Sequence, residues 1–169
     1  MKIIKYFFEF IFIYILLIIF KIIGYKNASN LGAIIGRKIG PLFRSNSKIQ
    51  SNLENSNIGS SQEDRKSIIN NMWGNYGRIL SEYVYLKQFR KNNLNQFIEI
   101  EGLNYLNEIK NNNKRVVFIS GHFNNFELMA MEIEKAGINL CAIYRPLNNP
   151  FLNIIMEKIR KNYICKNQV

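Results

Sequence analysis

Histidine occurs once in the 169 residues, as His122. A zinc site built on several imidazoles is therefore excluded. Cysteine is nearly as scarce. Cys141 and Cys165 are far apart and lack metal-type spacing, so they read as two reduced thiols, with no metal and no cofactor expected. Acidic residues are also few, 12 Asp and Glu against 23 Lys and Arg, for a formal net charge of +11. Such a surface suits an anionic membrane, an acidic protein, a phosphorylated substrate or nucleic acid. No recognisable nucleic-acid module is present, and the basic residues are spread along the chain rather than gathered in one stripe, which sets nucleic acid aside. Disorder is excluded by an apolar share of 47%.

What the chain does have comes first. Phe10 to Phe20 is an unbroken apolar run, and between Ile3 and Ile23 only Lys5, Glu9 and Lys21 interrupt it. A helix needs about 20 predominantly apolar residues to cross a bilayer. The run reaches that length with its charges near the ends, where Lys can snorkel. The expectation is a transmembrane or membrane-anchoring helix within residues 1–25. A cleaved signal peptide is the competing reading. It is weakened by Lys21 directly after the run and by the lack of a small-x-small cleavage site. An in-plane helix is disfavoured because the run is apolar all round. Lys21, Lys26, Arg37, Lys38, Arg44 and Lys48 follow the run, and by the positive-inside rule they place the body in the cytoplasm, against anionic membrane lipids.

A helical membrane-proximal region is expected over 26–95. Gly32, Gly36 and Gly40 recur every four residues and make a small-residue face, suited either to a second membrane-associated helix or to a core helix packed tightly on a neighbour. Pro41 limits that helix at about Gly40. The stretch from Ser45 to Ser61 reads as a loop with a short helix around Ile49 to Leu53. A long helical pattern runs from Glu63 to Phe89.

Residues 96–169 read as an α/β core. Ile98 to Ile100 is a short strand and Leu103 to Asn111 a helix. Val116 to Ser120 is a buried strand, Asn124 to Ala136 a helix stopped by Gly137, Leu140 to Tyr144 a second buried strand, and Pro150 to Lys161 a second helix. The fold class is therefore α/β, a membrane helix followed by helices and a parallel βαβα unit with right-handed crossover. Ligands collect outside the carboxyl ends of parallel strands. His122 and Arg145 each lie just past a strand end, with Glu127 in the helix between, so the three converge on one sheet edge.

A neutral imidazole can take a proton from a hydroxyl as it attacks a thioester, and a carboxylate on the other ring nitrogen fixes the tautomer. Backbone N–H groups near Phe123 and Asn124, at the helix start, are expected to face the developing oxyanion. Spacing alone is weak support. With 12 acidic residues in 169, an acid stands five places after a histidine by chance roughly 7% of the time.

Context strengthens it. Ile119-Ser-Gly-His122-Phe-Asn-Asn-Phe-Glu127 resembles the active-site motif of the lipid A biosynthesis late acyltransferases, the lauroyl/myristoyl transferase family, usually Ser/Gly-His-x-Gly-Asn-Trp-Glu. Tyr144-Arg-Pro-Leu-Asn-Asn-Pro150 resembles the second motif, and Arg160 falls where the family has a following Arg. Asn52-Leu53, Tyr76-Gly77-Arg78 with Glu82, and Glu101-Gly102 match its other positions. Asn124 stands for the usual Gly and Phe126 for the usual Trp. The resemblance implies His122 as general base and Glu127 as its orienter, with Arg145, Arg160 and Asn125 toward substrate. It further implies acyl carrier protein or acyl-CoA as donor, a glycolipid hydroxyl as acceptor, and the bacterial inner membrane as location. An acidic carrier suits a basic surface. Family members are nearly twice this length, so the acyltransferase core is expected to be incomplete, from truncation, a frameshift or a split gene. The alternative is an inactive, membrane-anchored interaction protein.

Overall fold

The long apolar run forms helix α1, Lys2–Ile23, as its composition requires. The computed structural model describes residues 2–44 and 46–169, so Ser45, the first residue of the polar stretch, lies outside the described residues. Two compact units emerge, Leu16–Tyr83 and residues 2–15 with Val84–Val169.

In the unit Leu16–Tyr83, Gly24 has φ +82, a backbone that glycine alone adopts freely, and it separates α1 from α2, Tyr25–Ile39. A 3₁₀ turn, Gly40–Leu42, with Pro41 inside it, ends α2 as expected. Helix α3, Asn46–Asn55, is longer than the short helix expected in the polar stretch. Ser61 caps α4, Gln62–Glu82, in a capping box with Asp64, in which the Ser61 amide donates to the Asp64 carboxylate and the Asp64 amide to the Ser61 hydroxyl. The long pattern that the sequence carries to Phe89 breaks at a 3₁₀ turn, Tyr83–Tyr85, before α5, Leu86–Arg90.

The glycine stripe acts in packing. Gly32 and Gly36 of α2 lie against Gly77 and Trp73 of α4, close enough for backbone to touch backbone. Of the two uses expected for that face, this is the tightly packed helix pair. Beside the crossing lies a polar cluster. The buried Ser29 hydroxyl donates to Glu82 Oε1 at 2.8 Å, and Arg78 Nη1 donates to Ser29 Oγ and Asn30 Oδ1, each at 3.0 Å. Burial, then the Glu82 carboxylate, pushes the Tyr25 phenol up to about 12. Gly77, Arg78 and Glu82 thus belong to one structural device, in which glycine allows the approach and the Ser29 hydroxyl links Arg78 to Glu82 beside it.

In the other unit, α6 occupies Leu103–Asn111, as expected. Helix α7 is Glu127–Lys135 and α8 is Pro150–Tyr163, with Asn149 as N-cap accepting from the Phe151 and Leu152 amides. Gly137 ends α7 at φ +86. The parallel pair differs from expectation. Strand β1, Cys141–Ala142, pairs with β2, Asn167–Gln168, and α8 makes the crossover. The expected strand Val116–Ser120 joins no ladder among the described residues, nor does Ile98–Ile100. The 116–120 run is not buried either, with Val117 87% and Ile119 92% exposed. The described fold is mostly helical with one small parallel sheet, and the parallel crossover sits one helix later than the sequence suggests. Both cysteines are free, as expected. Burial, then Glu134, raises the Cys165 thiol, which donates to the Leu140 and Asn167 carbonyls.

Candidate active site

Glu127 opens α7, where the amide dipoles of the first turn favour a carboxylate. It is only 6% exposed, so its charge requires a partner. The partner is Arg160. Its Nε donates to Glu127 Oε1 at 2.8 Å, and its Nη2 donates to the same oxygen. The guanidinium also stands over the Tyr144 ring, 4.5 Å from the centroid. Tyr144 in turn donates its hydroxyl to Asn153 Oδ1 at 2.5 Å, and the same oxygen accepts from the Leu147 amide at 2.8 Å. One continuous set of contacts therefore joins the start of α7, the inner face of α8 and the 144–147 loop.

The expected His122–Glu127 hydrogen bond is not formed among the described residues. The imidazole is exposed and packs edge-on against Phe126, with centroids 4.3 Å apart. Arg145 is exposed and makes no hydrogen bond or ion pair among the described residues. Asn125 is half-buried, and its carbonyl accepts from the Leu128 amide at 3.1 Å. The structure thus brings Glu127 and Arg160 together, and joins them to Tyr144 and Asn153. The sequence had no signal for the role of Asn153, and Tyr144 appeared only as a motif letter. Arg160, expected toward substrate, is engaged by the carboxylate.

The helix also starts later than expected. Asn124 has φ +44, so it cannot be a helical residue, and α7 begins at Glu127. Phe123 and Asn124 are therefore in the turn ahead of the helix, not among its first free amides. The left-handed backbone explains why glycine is usual at this place in the resembled motif and why asparagine tolerates it. Asn124→Ala is expected to cost about 1 kcal/mol and Asn124→Gly to be neutral, read as shifts in the urea midpoint.

An apolar groove of about 500 Å³ has a lining that includes Ile98, Ile100, Leu106, Phe118, Leu128 and Ile133. Leu128, which follows Glu127 in sequence, is in the lining, whereas Glu127 and His122 are not.

The sequence profile described as bacterial lipid A biosynthesis acyltransferase matches residues 1–166. This chain belongs to that family. Among curated relatives it is similar to lipid A biosynthesis acyltransferase 2 of Shigella flexneri, 25% identical over 135 residues. That match covers 78% of this chain and 42% of the relative, so the chain spans under half of that relative's length. No solved structure gives a significant match.

Proposed function

We propose that this acyltransferase-family chain works at a bacterial inner membrane, moving a fatty acyl group from acyl carrier protein or acyl-CoA to a hydroxyl of a lipid A precursor. The observation that carries the reading is the buried Glu127 at the head of α7, five residues after the sole histidine and held by Arg160. A buried carboxylate needs dedicated partners, and an arrangement of this kind marks a site that uses its charge.

In this reading His122 takes the proton of the acceptor hydroxyl as its oxygen attacks the thioester carbonyl. Glu127 turns toward the imidazolium that forms and stabilises it. Arg160 holds the carboxylate in place until then. The exposed Arg145 faces the phosphate of an anionic acceptor or carrier. The groove that Leu128 helps to line takes the acyl tail, since its lining is chiefly apolar.

The test uses sealed membranes carrying the chain, supplied with a carrier-linked acyl donor and a lipid A precursor. Transfer is expected, and His122→Ala should lower its rate by about 10²-fold or more. No transfer by the wild-type chain would sink the catalytic reading, and full activity in the variant would sink the base assignment. A second reading, a membrane-associated chain without turnover, is favoured by one observation. Residues 116–120, which lead into His122, are in no ladder, so the histidine is not fixed to a sheet edge.

A further inference from the structure

Arg37 and Arg78 belong to the unit Leu16–Tyr83 and have no role in the site around Glu127. Arg37 is exposed in the last turn of α2, and Arg78 is half-buried on α4. Asn30 and Arg37 are seven residues apart, two turns along one side of α2. From that side both reach α4. The Asn30 side-chain carbonyl accepts from Arg78 Nη1 at 3.0 Å. The Arg37 guanidinium lies against Gly74, where an added Cβ would stand 2.8 Å from Nε and 3.3 Å from Cζ and Nη2. Gly74 and Arg78 are one turn apart on α4, so the two seats are about 5–6 Å from each other.

Both arginines are seated, and neither forms an ion pair among the described residues. Arg78 Nη1 is fixed by Ser29 Oγ and Asn30 Oδ1, while its Nε and Nη2 have no acceptor among the described residues. The Glu82 carboxylate is linked to it through the Ser29 hydroxyl and is beyond ion-pair distance. Arg37 makes no hydrogen bond among the described residues. Glu63 and Asp64 stand at the start of α4, ten or more residues before Gly74 and about 15 Å away along the axis. Glu54 is paired with Arg65. Like charges one turn apart repel, and an anion between them would relieve that repulsion. An arginine that serves solubility alone needs no seat. Here Gly74 leaves room for one guanidinium, and Ser29 and Asn30 orient the other.

We infer that Arg37 and Arg78, with the Asn30 amide, form a binding site for a phosphate monoester. A monoester carries a charge of about −1.5 to −2 and three strong acceptor oxygens. Two planar guanidinia and one amide N–H supply donors for all three. The Asn30 amide nitrogen is available for this, because its carbonyl is the atom engaged by Arg78. A phosphodiester offers a single charge and fewer terminal oxygens, so it fits less well. The monoester arrives on a lipid headgroup or on a soluble phosphorylated molecule.

The test counts lipid bound to the full chain by native mass spectrometry in mild detergent. The probes are phosphatidic acid, a monoester, and phosphatidylglycerol, a diester with the same acyl chains, with glycerol 3-phosphate as soluble competitor. Phosphatidic acid is expected to bind about tenfold or more tightly than phosphatidylglycerol. Arg37→Gln and Arg78→Gln should each weaken its binding by about tenfold. Gly74→Ala is the sharper variant. It keeps every charge and favours the helix, and the three atoms nearest its new methyl group all belong to the far end of Arg37. It should weaken binding about as much as Arg37→Gln, because it displaces the guanidinium. Competition by glycerol 3-phosphate would show that the site takes a soluble phosphate, and binding without competition would assign it to the lipid headgroup; both support the site. Equal binding of the two lipids would overturn it, as would unchanged binding of phosphatidic acid in Gly74→Ala and the two arginine variants, leaving a diffuse basic surface. None of these readouts depends on acyl transfer, so loss of the catalytic reading would leave the test intact.

Discussion

Arg160→Met is expected to lower stability by about 3 kcal/mol, near the low end of the range for removing one partner of a buried ion pair. Glu127 stays behind at 6% exposure with its charge and without the two donors that now satisfy it. The Arg160 side chain is itself 18% exposed, which is why the lower figure applies. The methionine keeps much of the stem volume, so the cost is electrostatic and not a cavity. Adding Glu127→Gln to Arg160→Met should therefore restore more than half of the loss, because a neutral amide is far less costly to bury than an unpaired charge. Urea unfolding of the two variants in mild detergent checks this. Equal instability of single and double variants would mean that Arg160 acts by packing on Tyr144 alone.

Gly77→Ala is expected to cost about 3 kcal/mol or more, beyond ordinary overpacking, because the obstacle is backbone. A Cβ at Gly77 would collide with the Gly32 carbonyl, and one at Gly32 with the Gly77 carbonyl and, at 2.8 Å, with Ser81 Cβ. No rotamer change relieves either clash, so α2 and α4 must separate. That movement would also pull Ser29 from Glu82 and leave the carboxylate short of a donor. Gly32→Ala should behave alike, and the double variant should cost well under the two single costs combined, since one displacement relieves both clashes. Thermal unfolding of the three variants measures this. Full additivity would show that the helices do not move as a pair.

Much of the chain is legible in its sequence for local reasons. The α1 run, the α6 pattern and the Asn149-Pro150 start of α8 are written in contiguous residues. What depends on distant partners is not legible in this way. Val116 to Ile119 has the β-branched, apolar composition of a buried strand, yet a strand requires a neighbour, and propensity does not supply one. The partner that β1 takes is Asn167–Gln168, two residues with low strand preference at the end of the described chain. Helix α7 starts three residues after Asn124 because that residue, which fits a helical pattern by polarity, adopts φ +44. Within the site, Glu127 and Arg160 were each singled out, but their pairing across 33 residues, at the head of one helix and within another, emerges only from the packing. His122 was identified as the candidate base by its chemistry, while its present contact with Phe126, rather than with Glu127, could not be foreseen from spacing.

The central claim is that His122 and Glu127 act as one unit during transfer although Arg160 holds the carboxylate in the resting chain. The most direct measurement is a double-mutant cycle on the acyl-transfer rate, comparing His122→Ala, Glu127→Gln and the two combined. If Glu127 acts through His122, each single change slows transfer and the combined variant is no slower than His122→Ala alone. Rates that fall by the product of the two single effects would contradict the account and leave Glu127 as a structural partner of Arg160.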